Sequence, residues 1–137
     1  MGVEDIGNGI KTNLETISAL KAIFAPKELP DSLPSVFPMA LILPGVTTYD
    51  IDFSGNCNYN FRIIVFFSPA DKPTALNTLL DYIEPAGTNS VKAAIEGDIT
   101  LDSSADTCML RRNLGFGMTL WGNTAYVTTE FELEVWG

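Results

Sequence analysis

Hydrophobic and polar positions alternate most regularly over residues 106–137, which predicts two long β-strands joined by a tight turn at Gly122 and Asn123. Glycine there takes φ > 0 without strain. With Trp121 opposite Thr124, side chains sort by polarity. One face carries Leu120 with Ala125, Met118 with Val127, Phe116 with Thr129, Leu114 with Phe131 and Leu110 with Val135, and is expected to be core. The other carries Thr119 with Tyr126, Gly117 with Thr128, Gly115 with Glu130, Asn113 with Glu132, Arg111 with Glu134 and Met109 with Trp136. A slip of one residue would turn Glu130, Glu132 and Glu134 inward, and each unpaired buried carboxylate costs several kcal/mol. The misfit is Arg112 opposite Leu133, whose stem is expected to snorkel out at the sheet end.

Upstream, Val3, Ile6, Ile10, Leu14, Ile17, Leu20 and Phe24 recur at spacings of three and four, predicting an amphipathic helix of about twenty residues that Pro26 stops. Gly7 and Gly9 weaken its first turns. A proline-bounded connector follows at residues 29–35. Residues 36–43 are apolar on both sides of the pleat, as suits a strand covered on both faces, and Pro44-Gly45 is expected to end it. Residues 47–53 and 59–67 alternate and predict a second hairpin, with a loop over residues 54–58 setting Phe53 against Tyr59, Ile51 against Phe61 and Asp50 against Arg62. Asp71 as N-cap, Pro73 in the first turn and the stripe Leu76, Leu79, Leu80, Ile83 predict a helix that Pro85 terminates. Ser90 caps a short helix through Ile95, stopped by Gly97, and residues 98–105 read as a polar loop. The order is helix, three strands, helix, short helix, two strands. That is an α+β plan: an antiparallel sheet of mixed-length strands with a long C-terminal hairpin, packed by an N-terminal and a central helix.

Composition adds little to that outline, but charge narrows the partners. The 137 residues suit one domain, and 46% hydrophobic content argues for an ordered core. With 17 acidic against 8 basic residues, the net charge of −9 repels phosphate backbones, so nucleic acid is expected only in passing. The start Met1-Gly2-Val3-Glu4-Asp5 lacks a signal-peptide pattern, and the apolar stretch at residues 36–46 is too short to span a bilayer, so the chain is expected to be cytoplasmic, with no membrane partner. Cys57 and Cys108, without CxxC spacing and with no histidine in the chain, are expected to be reduced, packed thiols.

No catalytic motif appears, and the protein is expected not to be an enzyme. Lack of histidine removes the usual activation of serine or cysteine nucleophiles. Asp50, Asp52, Glu130, Glu132 and Glu134 could be imagined as paired acids or a hard-cation site, but they alternate with apolar residues as on a solvated sheet face. Asp98, Asp102 and Asp106 lack the glycine and terminal glutamate of a calcium loop, so no metal or other cofactor is expected. Gly115-Phe116-Gly117 lies within a strand rather than before a helix. It is read either as a bulge or as a shallow strip where another subunit's chain can lie close.

Several segments together resemble the tail terminator (tail completion, or minor tail) proteins of long-tailed bacteriophages. They are Leu20-Lys21-Ala22-Ile23-Phe24 closing the first helix, the proline-rich connector, Phe37-Pro38-Met39-Ala40-Leu41-Ile42 as first strand, and Arg62-Ile63-Ile64-Val65-Phe66-Phe67 before a proline-containing helix. The run Val91-Lys92-Ala93-Ala94-Ile95-Glu96-Gly97-Asp98-Ile99-Thr100-Leu101 and the final hairpin complete the likeness. Where that family often carries a glycine soon after the leucine, this chain has Asp102-Ser103-Ser104. The resemblance implies a subunit of a ring, usually of six copies, that sits on the last ring of tail tube, stops its polymerisation and meets the head connector. Its setting would be the host cytoplasm during assembly and then the head-proximal end of the virion tail. Expected contacts to subunit or tube are Arg111, Asn113, Gly115, Gly117, Tyr126, Thr128, Glu130, Glu132, Glu134 and Trp136 on the polar hairpin face, with Gly55 and Asn56 in the 54–58 loop and the 30–35 loop beside them. The other class of reading is a ligand-binding or enzymatic α+β domain with a pocket between sheet and helices lined by Phe61, Ile63, Phe116 and Phe131.

Overall fold

A computed structural model describes residues 2–31, 33–34, 36–49, 57–69 and 76–137. The elements in chain order are α1 (Val3–Leu14), β1 (Ala22–Phe24), β2 (Met39–Thr48), β3 (Asn58–Pro69), α2 (Leu76–Ile83), α3 (Val91–Glu96), β4 (Thr107–Trp121) and β5 (Thr124–Trp136). The strands form one sheet in the order β1-β2-β3-β5-β4. Every pairing is antiparallel except that of β1, which runs parallel to β2. The fold is therefore α+β, with the long C-terminal hairpin forming one side of the sheet.

The N-terminal stripe is core, but its helix is shorter than its periodicity suggests. Ile6, Ile10, Leu14, Ile17 and Leu20 are all buried, yet the helix ends at Leu14 and residues 22–24 are strand. Thr16 and Ile17 are β-branched and favour helix poorly, and the Thr16 hydroxyl donates to the Asn13 carbonyl at 2.7 Å. Asn13 itself is buried, and its amide donates to the carbonyls of Ile95 (3.0 Å) and Asp98 (2.8 Å), tying the end of α1 to the end of α3. The two helix glycines serve packing rather than fraying. Both are buried, and a Cβ at Gly9 would collide with the Leu101 carbonyl, one at Gly7 with the Pro26 ring.

The central strands also depart from the expected register. Residues 39–48 form one strand, so Pro44-Gly45 does not end it; the ladder slips between Pro44 and Thr47 and continues. Beyond Leu41 this strand has no β1 neighbour, so a proline at 44 interrupts no second ladder. Phe61 faces Pro44, Arg62 faces Leu43 and Tyr59 faces Thr47, in place of Ile51, Asp50 and Phe53. Asp50, Ile51, Phe53, Asp71 and Pro73 lie outside the described residues. In α2 the buried face is Leu79 with Tyr82, while Leu80 points to solvent. Ser90 caps α3 as expected, its hydroxyl accepting from the Ala93 amide at 3.1 Å and donating to the Glu84 carbonyl at 2.6 Å.

Two cores sandwich the sheet. On one face the helices cover Ala40, Ile42, Phe61, Ile63, Val65, Phe131, Leu133 and Val135. On the other, Met39, Leu41, Ile64, Phe66 and Tyr126 are covered by Phe24, Leu29, Leu33 and Phe37, so the proline-rich connector is a second layer rather than a surface loop. Its anchor is the Trp121 indole, which donates to the Pro30 carbonyl at 2.8 Å and stands edge-on to Phe66. Cys108 is buried, Cys57 half-buried, and the two sulfurs form no disulfide. Burial, then the charges of Asp98 and Glu96, push the Cys108 thiol up to about 11.

Candidate interaction surface

The hairpin turns at Gly122, whose φ is +63°, and Trp121 faces Thr124 as the alternation requires. The expected register holds as far as Phe116 opposite Thr129. Two bulges then shift it. Leu114 and Gly115 together oppose Glu130, with Gly115 at φ +81°, and Arg111 is an extra residue between Leu110 and Arg112. The Asn113 side chain locks the first bulge by donating to Thr129 Oγ1 (2.7 Å) and accepting from the Gly115 amide (2.8 Å).

These shifts remove the Arg112 misfit. Arg112 lies opposite Glu132 rather than Leu133, and its guanidinium meets that carboxylate at 2.6 and 3.1 Å. Leu133 pairs with Leu110 and Phe131 with Asn113, replacing the Asn113–Glu132 and Leu114–Phe131 pairs. Arg62 of β3 clasps Glu130 at 2.7 and 3.1 Å, and Arg111 meets Glu134 at 2.6 Å with its guanidinium over the Trp136 ring. The acidic row is thus neutralised strand by strand. The hydrogen bond from Arg112 holds the Glu132 carboxyl below its ordinary value, and the Glu130 carboxylate raises Arg62.

The larger correction concerns which hairpin face is covered. On β5 the expected core residues Val127, Thr129, Phe131 and Val135 are buried, but their β4 neighbours are not: Phe116 is 48% exposed, Met118 59% and Leu120 72%. Leu114 is also half-exposed. The helices pack over β3 and β5 and do not cover the tip of the outer strand. Conversely, Tyr126 and Thr128, expected on the contact face, are buried beneath the connector or between strands, with Thr119 and Thr128 sharing a hydroxyl hydrogen bond of 2.8 Å. Gly115 and Gly117 border open space: a Cβ at 115 would meet nothing within 4 Å, and one at 117 only the Thr128 carbonyl at 4.0 Å. Gly55 and Asn56 lie outside the described residues, and Asn58 opens β3.

What results is a strand of 15 residues, roughly 50 Å at about 3.4 Å per residue, paired on one side only among the described residues. Natural sheet edges are usually blunted by charges. Here the charges sit at the hairpin base, and from Asn113 to Thr129 none occurs. The exposed apolar row on this uncharged edge makes it the candidate contact surface.

The other candidates are structural. Phe61, Ile63 and Phe131 are packed core while Phe116 faces solvent, so the four do not line a common pocket. The Asp98 carboxylate accepts from the Thr100 amide and hydroxyl and from the Asp102 amide, which lowers its pKa. Those bonds hold Leu101, Asp102 and Ser103 in the left-handed region at φ 51°, 58° and 63°, a conformation glycine would adopt unstrained. Among the described residues no group of histidine, cysteine and acidic side chains is arranged to hold a metal, and no helix is long and apolar enough to cross a membrane. No family model matches the chain, and no curated protein matches it in sequence.

Proposed function

We propose that this protein is a structural subunit that closes with copies of itself, six by resemblance, into a ring capping a phage tail tube, ending its polymerisation and joining it to the head connector. The observation that supports this reading is the open, uncharged β4 edge with its solvent-facing Phe116, Met118 and Leu120. A chain that works by shape needs such an edge, and the three glutamates of its hairpin are each paired with an arginine. The acidity left over suits a lumen that DNA passes without sticking. Between residues 81 and 106, Asp81, Glu84, Glu96, Asp98, Asp102 and Asp106 stand against Lys92 alone. Assembly would take place in the host cytoplasm, with the ring ending at the head-proximal end of the tail.

The test is to mix purified protein with tail tubes, examine tube ends by electron microscopy and measure mass by light scattering. Rings on tube ends, and tubes that stop growing, are expected. A strict monomer that never decorates a tube end would overturn the proposal.

A further inference from the structure

Among the described residues the sheet has two edges, β4 and β1, each paired on one side. Resting on the ring reading, we propose that they meet: β4 of one copy continues the sheet of the next along β1, with Phe116, Met118 and Leu120 against the cleft beside that strand. The cleft, about 400 Å³, is lined by Ile17, Leu20 and Ile23 and rimmed by Lys11, Glu15 and Lys21.

Three features choose this mate. The first is the side of the sheet on which each surface lies. Phe116, Met118 and Leu120 oppose Thr129, Val127 and Ala125, on the same face as helix-covered Phe131. Ile17 and Leu20 belong to that helix-side core and Ile23 packs against it. A continuous sheet therefore brings the apolar row to the half-buried Ile23 side of this mostly polar cleft, on the same side of the sheet. The second is charge. Copies carrying −9 repel unless their contact is free of carboxylates, and the tip over residues 113–129 has none. At the cleft it would enter, Lys11 is paired with Glu28 at 2.8 Å and Glu15 is balanced by Lys21, so the rim carries no excess of carboxylates to repel the tip. The third is topology: joining two different edges is a head-to-tail contact, the kind that closes a ring, whereas β4 against β4 gives only a two-fold pair.

Two single variants test the contact, Met118→Cys and Ser18→Cys, both at solvent-exposed positions, the second in the cleft wall. Mixed, cross-linked with a short bis-maleimide and mapped by mass spectrometry, in solution and on tube ends, they should give a link between residue 18 of one copy and 118 of another. Met118→Glu should keep the melting temperature and weaken self-association at least about tenfold, since desolvating an added carboxylate between copies that already carry −9 outweighs what the partly exposed rim lysines return. A dominant 118-to-118 link, the absence of an 18-to-118 link in both settings, or undiminished association of Met118→Glu would overturn the proposal. Tubes capped without the 18-to-118 link would sink this contact and leave the capping reading standing. Linked rings that never cap tubes would do the reverse.

Discussion

At the scale of single residues, the positions that matter most are those where another backbone comes too close for a side chain. Gly9 is one: α1 rests directly against the Leu101 carbonyl, at the start of the left-handed turn. Gly9→Ala should destabilise the protein by about 1–3 kcal/mol in urea titrations, because helix and turn must separate. Gly2→Ala, with nothing within 4 Å of the added carbon, should change the midpoint little. Composition reads Gly9 as a weak point in a helix, since α-helices disfavour glycine. The opposite role comes from a contact about ninety residues away, which no local pattern encodes.

At the scale of elements, the β4 bulges set which charge meets which. Gly115 holds φ +81° with open space around it, so Gly115→Ala should cost about 1–2 kcal/mol through the backbone alone. Gly117→Ala, without positive φ, should be neutral or mildly stabilising, and equilibrium denaturation of the pair separates conformational strain from crowding. The carboxylates fixed by these elements also predict a pH response. Hydrogen bonds from Lys11 to Glu28, from Thr100 to Asp98 and from Arg112 to Glu132 hold all three pKa values below the ordinary range. The unfolded chain then binds more protons than the folded one in the acid range, so this contribution is present above an unfolded value of about 4 and is lost as pH falls through the folded values. Denaturation midpoints should hold from about pH 7 to 5 and fall below about pH 4, less steeply in Arg112→Gln and Lys11→Gln. Alternation revealed the hairpin, its turn and its register near the tip. It did not reveal the bulges, because an extra residue leaves local polarity almost unchanged and is settled by cross-strand partners such as Arg112 with Glu132.

At the scale of the whole molecule, coverage decides what is stable and what is available. β3 and β5 are paired on both sides and packed above and below, whereas among the described residues β4 has one neighbour and a bare tip. Amide exchange should be slowest in residues 61–66 and 127–133, and outward-facing β4 amides should exchange quickly in the free subunit and slow on assembly. Uniform protection of β4 in the isolated subunit would contradict an open edge. The sequence by itself determined the α+β class, the C-terminal hairpin with its turn, the Ser90-capped helix and the burial of the N-terminal stripe, because each follows from periodicity or from one residue's local chemistry. Only the tertiary structure decided where α1 stops, that residues 39–48 are one strand, that the connector is a second core layer, and that Phe116, Met118 and Leu120 face solvent. The physical reason is that an apolar side chain states a preference to be covered, while what covers it depends on how far distant helices and loops reach across the sheet.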